Sequence, residues 1–154
     1  MTTRWRVFWS LAALLVMAII FYFSSQSSGT SEDLSDAFAG ILKMEQVKET
    51  TRVSNQGILF GLTLRKLAHI VLFAALGFCL CNAFTGVRGN LPWAAGLSYL
   101  YAVFDEVHQT LSGRFGRWQD TLIDLIGIAI GIIAHLLLLK LWQVLTEKYA
   151  KRSQ

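Results

Sequence analysis

Four stretches of this chain, 7–23, 67–84, 91–107 and 122–145, are apolar over such lengths that water is not their natural solvent. A helix needs about 20 predominantly apolar residues to cross the hydrocarbon core of a bilayer, or about 17 at the short end. The third stretch is the shortest before its polar end. In lipid the backbone N–H and C=O groups must bond to one another, which leaves helices and closed barrels as the spanning structures. A single proline and long runs of Leu, Ile, Ala and Phe suit helices. The expectation is one all-α domain over 1–154, a membrane-embedded four-helix transmembrane bundle.

Charge is sparse, 16% of residues, and its placement carries the rest of the reading. The formal net charge of +4 comes from basic residues scattered between apolar blocks, so no basic stripe for nucleic acid forms and they read as topology determinants. Arg4-Trp5-Arg6 followed by 7–23 has the basic and apolar parts of a signal peptide. No Ala-x-Ala site precedes Ser24, so an uncleaved first span is expected. Cys79 and Cys81, inside an apolar run with no second Cys or His pair nearby, read as free, buried, small hydrophobes.

An even number of spans puts both termini on one side. Arg4, Arg6, Arg88, Lys148, Lys151 and Arg152 then share that side, which the positive-inside bias makes cytoplasmic. Lys43, Lys48, Arg52, Arg65, Lys66, Arg114 and Arg117 oppose it, but loop 24–64 also holds Glu32, Asp33, Asp36, Glu45 and Glu49, and long loops weigh less in the bias. Within that loop Leu34, Phe38, Ile41 and Leu42 recur at helical spacing. They predict an amphipathic helix lying on the membrane or over the bundle.

The remaining polar residues gather at one end. Lys66 and His69 begin the second span, Asp105, Glu106, His108 and Gln109 end the third, and Arg114, Arg117, Asp120 and Asp124 lead into the fourth. With helices alternating in direction, all three ends lie on the extracytoplasmic side. Separations of three and four put Lys66, His69 and Phe73 on one helix face, and Asp105 with Gln109 on another. Glu106 points about 100° away from Asp105. Gly127 and Gly131 continue the stripe of Asp120 and Asp124 and would let a neighbouring helix approach closely. Arginine's planar fork, here on Arg114 and Arg117, suits carboxylate or phosphate.

These residues resemble the VanZ-like family of bacterial membrane proteins. The resemblance rests on Phe23-Ser24-Ser25-Gln26, Lys66-Leu67-Ala68-His69 with Phe73, and Tyr101-Ala102-Val103-Phe104-Asp105-Glu106-Val107-His108-Gln109. It continues through Gly113-Arg114-Phe115-Gly116-Arg117 to Asp120, Asp124 and Gly127, which together cover nearly the whole chain. His108 departs from the pattern. The resemblance implies a small multi-pass protein of the bacterial cytoplasmic membrane, whose namesake is linked to low-level teicoplanin resistance, and it implies no settled reaction.

Ionisable groups at membrane depth are expensive and so are functional candidates. One reading is an enzyme acting on a lipid or lipid-linked envelope precursor, with His69, Asp105, Glu106 and Asp124 as the catalytic set. Lys66, Gln109, Arg114, Arg117 and Asp120 would bind the ligand. The same His69, Asp105, Glu106 and Asp124 could instead take a divalent cation, and the sequence leaves metal and cofactor open. Another reading is a binding or shielding protein without chemistry, its cluster a helix-packing network of hydrogen bonds worth about 0.6 kcal/mol each. Transport would want ionisable groups spread through the membrane, and only His135 lies mid-span, where a hydrogen-bonded packing histidine is the plainer reading.

Overall fold

In the computed structural model the described residues are 3–25, 55–111 and 118–152, with side chains described for 3–25, 66–111 and 121–149. Among them the chain forms four helices: α1 (Thr3–Ser25), α2 (Asn55–Ala83), α3 (Asn90–Leu111) and α4 (Trp118–Arg152). The amphipathic helix expected in loop 24–64 lies outside the described residues.

Three segments are both long and apolar enough to cross a membrane: Thr3–Ser25, the Lys66–Ala83 part of α2 and the Thr121–Tyr149 part of α4. The expected fourth span is helical, as α3, but is not one of these three. Its last turns carry Asp105, Glu106, His108 and Gln109, which dilute its apolar character.

Burial departs from that of a water-soluble bundle, with polar residues inside beside an apolar core and many large apolar residues outside. Leu11, Leu15, Val71, Leu100, Ile126 and Leu137 face outward, while Ser24, Ser98, Asp105, Gln109, Asp124 and His135 are buried. That is the arrangement expected where the surroundings are apolar and polar groups must find one another inside. Both α2 and α3 touch the other three helices, and α2 with α4 makes the most extensive pair.

Glycine explains how close that pair comes. A Cβ on Gly127 would lie 2.5 Å from the Ile70 carbonyl oxygen, one on Gly131 would overlap the Ala74 carbonyl, and one on Gly77 would lie 3.0 Å from the Ile128 carbonyl. The small-residue stripe expected on α4 thus lets two backbones meet, as small residues do at membrane interfaces. Between α2 and α3 the chain reverses through Gly86 and Gly89, whose φ values of 85° and 74° need glycine. Pro92 sits in the first turn of α3, where its missing N–H costs nothing.

Cys79 and Cys81 are free and buried, as the sequence predicts. His135 is also buried, its ring edge-on to Phe78 at 6.1 Å, but its Nε2 has no hydrogen-bond partner among the described residues. The histidine is buried and packed as expected, and the hydrogen bond expected of its ring is not made at Nε2.

Candidate functional site

The helix periodicity that keeps Lys66, His69 and Phe73 in line sends Phe73 into the core and leaves His69 at its edge. Phe73 is fully buried. The His69 ring stacks on it at 6.1 Å with planes 25° apart, while its other neighbour on α2, Lys66, stays exposed. His69 is thereby held against an apolar wall with 16% of its side chain exposed.

From α4, Asp124 meets this ring. Its Oδ1 lies 3.1 Å from His69 Nδ1, and Asp124 is 2% exposed. Gly127, less than one turn further along α4, is where that helix touches the Ile70 backbone, so the glycine contact sets the separation at which the His69–Asp124 pair forms. When Nδ1 carries the ring proton it donates to Asp124, and Nε2 is left with a free lone pair.

α3 brings the third group through a buried stripe of mostly small residues: Ala94, Ser98, Ala102, Asp105 and Gln109. Steps of four, four, three and four keep these on one face, and the small residues let the longer polar ones sit inside. Asp105 is 1% exposed. Gln109, one turn on, donates from Nε2 to Asp105 Oδ2 at 2.6 Å and to the Ser24 hydroxyl on α1 at 3.3 Å. A second tie to α1 comes from Tyr101, whose hydroxyl donates to the Met17 carbonyl at 2.6 Å. Every helix of the bundle therefore holds some part of the site.

The result is a trio. A nitrogen of His69 and one carboxylate oxygen each of Asp105 and Asp124 all lie within 4.8 Å of one another. Two carboxylates and an imidazole at that separation can share protons, act as acid and base, or coordinate a cation.

Of the expected catalytic set, His69, Asp105 and Asp124 come together. Glu106 does not join them; it is half-buried on the next face of α3, as the 100° step requires. Of the expected ligand-binding set, Gln109 is inside the cluster and Lys66 is exposed near its edge. Arg114, Arg117 and the side chain of Asp120 lie outside what is described. His108, the departure from the family pattern, packs on Phe21 with ring centroids 4.4 Å apart. Ser24 touches the cluster, as its place at the exit of α1 suggests. The Tyr101 bond has no sequence signal, because its acceptor is a backbone carbonyl on another helix.

The family model described as VanZ/LLP1 matches residues 9–140, which contain the trio, Gln109, Ser24 and the glycines of the α2–α4 contact, Gly77, Gly127 and Gly131. Among curated proteins the chain is similar to the uncharacterized membrane protein YwnJ of Bacillus subtilis (strain 168). The two are 33% identical over 86 residues, 56% of this chain and 59% of YwnJ, so the chain spans less than two thirds of that relative. No solved structure matches.

Proposed function

The chain belongs to the VanZ/LLP1 family, and on that premise we propose that its buried polar site binds or acts on a lipid or lipid-linked component of the bacterial cell envelope. The observation that carries this reading is the trio itself. Two aspartates on different helices, each almost fully buried, face one histidine inside a membrane protein. Taking charges out of water costs several kcal/mol per ion even after relaxation. Fixing helix packing does not require two acids at one point.

In this reading α3 is the fourth span. Its 22 residues reach about 33 Å at 1.5 Å per residue, its polar stripe faces the bundle, and Leu97, Leu100, Phe104 and Val107 face outward. Four spans place both termini on the cytoplasmic side with Arg4, Arg6 and Arg88. The trio then opens toward the outside of the cytoplasmic membrane, where envelope precursors are used. Lys66 at its edge, with Arg114 and Arg117, supplies cations for a head-group phosphate. His69, oriented by Asp124, supplies the acid or base, and Asp105, held by Gln109, supplies the second carboxylate.

The proposal includes reduced teicoplanin susceptibility of cells that carry the protein, and it is tested by expressing wild type beside the single replacements His69→Gln, Asp105→Asn and Asp124→Asn in a strain that lacks it. The expected result is loss of the phenotype with each variant present in membranes at wild-type abundance. If all three variants keep the phenotype at that abundance, the reading is wrong. Lipids that copurify with wild type and variants separate binding from turnover, because a binder holds an unchanged lipid and an enzyme releases an altered one.

A further inference from the structure

We infer that His69, Asp105 and Asp124 hold one divalent transition-metal cation, of the zinc or manganese class, at the polar end of the helix bundle. This deepens the reading of that end as the working site and rests on it.

Geometry comes first. Donor atoms around a first-row divalent ion sit about 2.0–2.2 Å from it, which puts neighbouring donors about 3–3.5 Å apart. His69 Nδ1 and Asp124 Oδ1 are already 3.1 Å apart, and the full set of three falls within 4.8 Å.

Charge points the same way. Two carboxyl groups at 1% and 2% exposure sit where ions are poorly solvated, so a cation held between them would be favoured there over water. A divalent cation would take the place of a ring proton between His69 and Asp124, since metal ligation needs the deprotonated nitrogen.

Asp105 is almost wholly buried, and its Oδ2 accepts from Gln109 Nε2. The arrangement is that of a ligand braced from behind: Gln109 holds Asp105 and is itself held by Ser24, while Phe73 fixes the plane of His69. Outer partners of this kind orient the ligands of metal sites.

The donor set narrows the ion. An imidazole beside carboxylates favours zinc, manganese or iron over magnesium and calcium, which prefer oxygen alone. Three protein ligands leave a coordination position open, as catalytic sites do and structural zinc sites do not. A phosphate oxygen of the envelope ligand is the group that position would accept.

The experiment uses the full chain in detergent micelles, stripped with a chelator and titrated with Zn²⁺ or Mn²⁺, with bound metal measured by elemental mass spectrometry and stability by thermal melting. Wild type should take up about one ion per chain and melt higher when loaded, as a ligand that binds only the folded state requires. Asp105→Asn and Asp124→Asn should lose that uptake, and Gln109→Ala should weaken it about 10- to 100-fold, the usual effect of an outer partner. His69→Cys should keep zinc and lose manganese, because a thiolate selects the softer ion. This conservative variant and the wild-type titration decide the matter even if an aspartate variant fails to fold.

Wild type that binds neither cation, or uptake unchanged in both aspartate variants, overturns the inference. If no metal binds but the trio variants lose the teicoplanin phenotype, the metal is wrong and the envelope reading stands. If metal binds through the trio and the phenotype survives its loss, the metal site stands and the envelope reading falls.

Discussion

Where α1 begins and α2 finishes, Arg6 donates from Nε to the Ala83 carbonyl at 3.2 Å, beside an open groove lined by Thr3, Val7, Ser10 and Phe84. At the opposite end Asp105 and Asp124 are drawn under the surface until water hardly reaches them. Both ends satisfy polar groups, but by different physics. Arg6 is an exposed cation answering a carbonyl that every helix C-terminus leaves without a partner. The aspartates meet a histidine and a glutamine across three helices. An exposed cap can be replaced by water; a buried carboxylate cannot. Under the proposed function the contrast separates charges that orient the chain from charges that perform its work, and substitutions at the two ends should diverge accordingly.

The largest divergence is expected from Asp105→Asn. Asparagine has nearly the same shape and can still accept from Gln109 Nε2, so abundance in membranes should match wild type. The charge is gone, and with it any acid, base or ligand role. Acid–base roles contribute about 10²- to 10⁴-fold to rate, so under the proposed function the teicoplanin phenotype should vanish altogether. A variant with full phenotype would remove the distinction between the two ends.

Gln109→Leu tests the support behind that carboxylate. It deletes both the 2.6 Å bond to Asp105 and the 3.3 Å bond to Ser24, leaving a buried acceptor without its donor. Such a loss costs about 1–3 kcal/mol, to be read as a lower melting temperature in detergent together with a partial functional defect. A change in stability with no change in function would make Gln109 a packing residue only.

How much of this was legible in the sequence depends on whether period or proximity carried the information. The spacing of Lys66, His69 and Phe73, of Asp105 and Gln109, and of Gly127 and Gly131 follows the 3.6-residue turn, and the structure keeps each set on one face. Alternating helix direction was enough to send His69, Asp105 and Asp124 to the same end. What period cannot supply is depth. Asp105 and Glu106 are equally acidic neighbours, yet one is buried in the trio and the other is turned a third of the way round the helix. Nor can it supply backbone acceptors, so the bonds from Tyr101 to Met17 and from Arg6 to Ala83 had no signal. His135 shows the reverse error: burial was foreseen from its place mid-span, whereas the partner expected for it is not at Nε2.

A smaller effect is expected from Tyr101→Phe, which removes a 2.6 Å bond to the Met17 carbonyl and keeps the ring against Phe73. That carbonyl lies inside α1, where the helix already gives it a donor. The cost should stay near the average of about 0.6 kcal/mol for a hydrogen bond between membrane helices, measured by unfolding in detergent. A loss several times larger would show that the α1–α3 tie, not the trio, holds the polar end together.

The smallest effect belongs to the other end. Arg6→Gln keeps an N–H donor within reach of Ala83 and removes the charge, so only the attraction of a cation to the α2 C-terminus is lost. Charges at exposed helix ends are worth about 0.3–1 kcal/mol and are screened by salt, so the melting difference from wild type should shrink as ionic strength rises. Under the proposed topology and function teicoplanin susceptibility should not change, because Arg4 and Arg88 still favour the same orientation. If Arg6→Gln instead abolished the phenotype at normal abundance and topology, the groove beside α1 would have to be counted as part of the functional surface. The two ends would then differ in depth of burial but not in purpose.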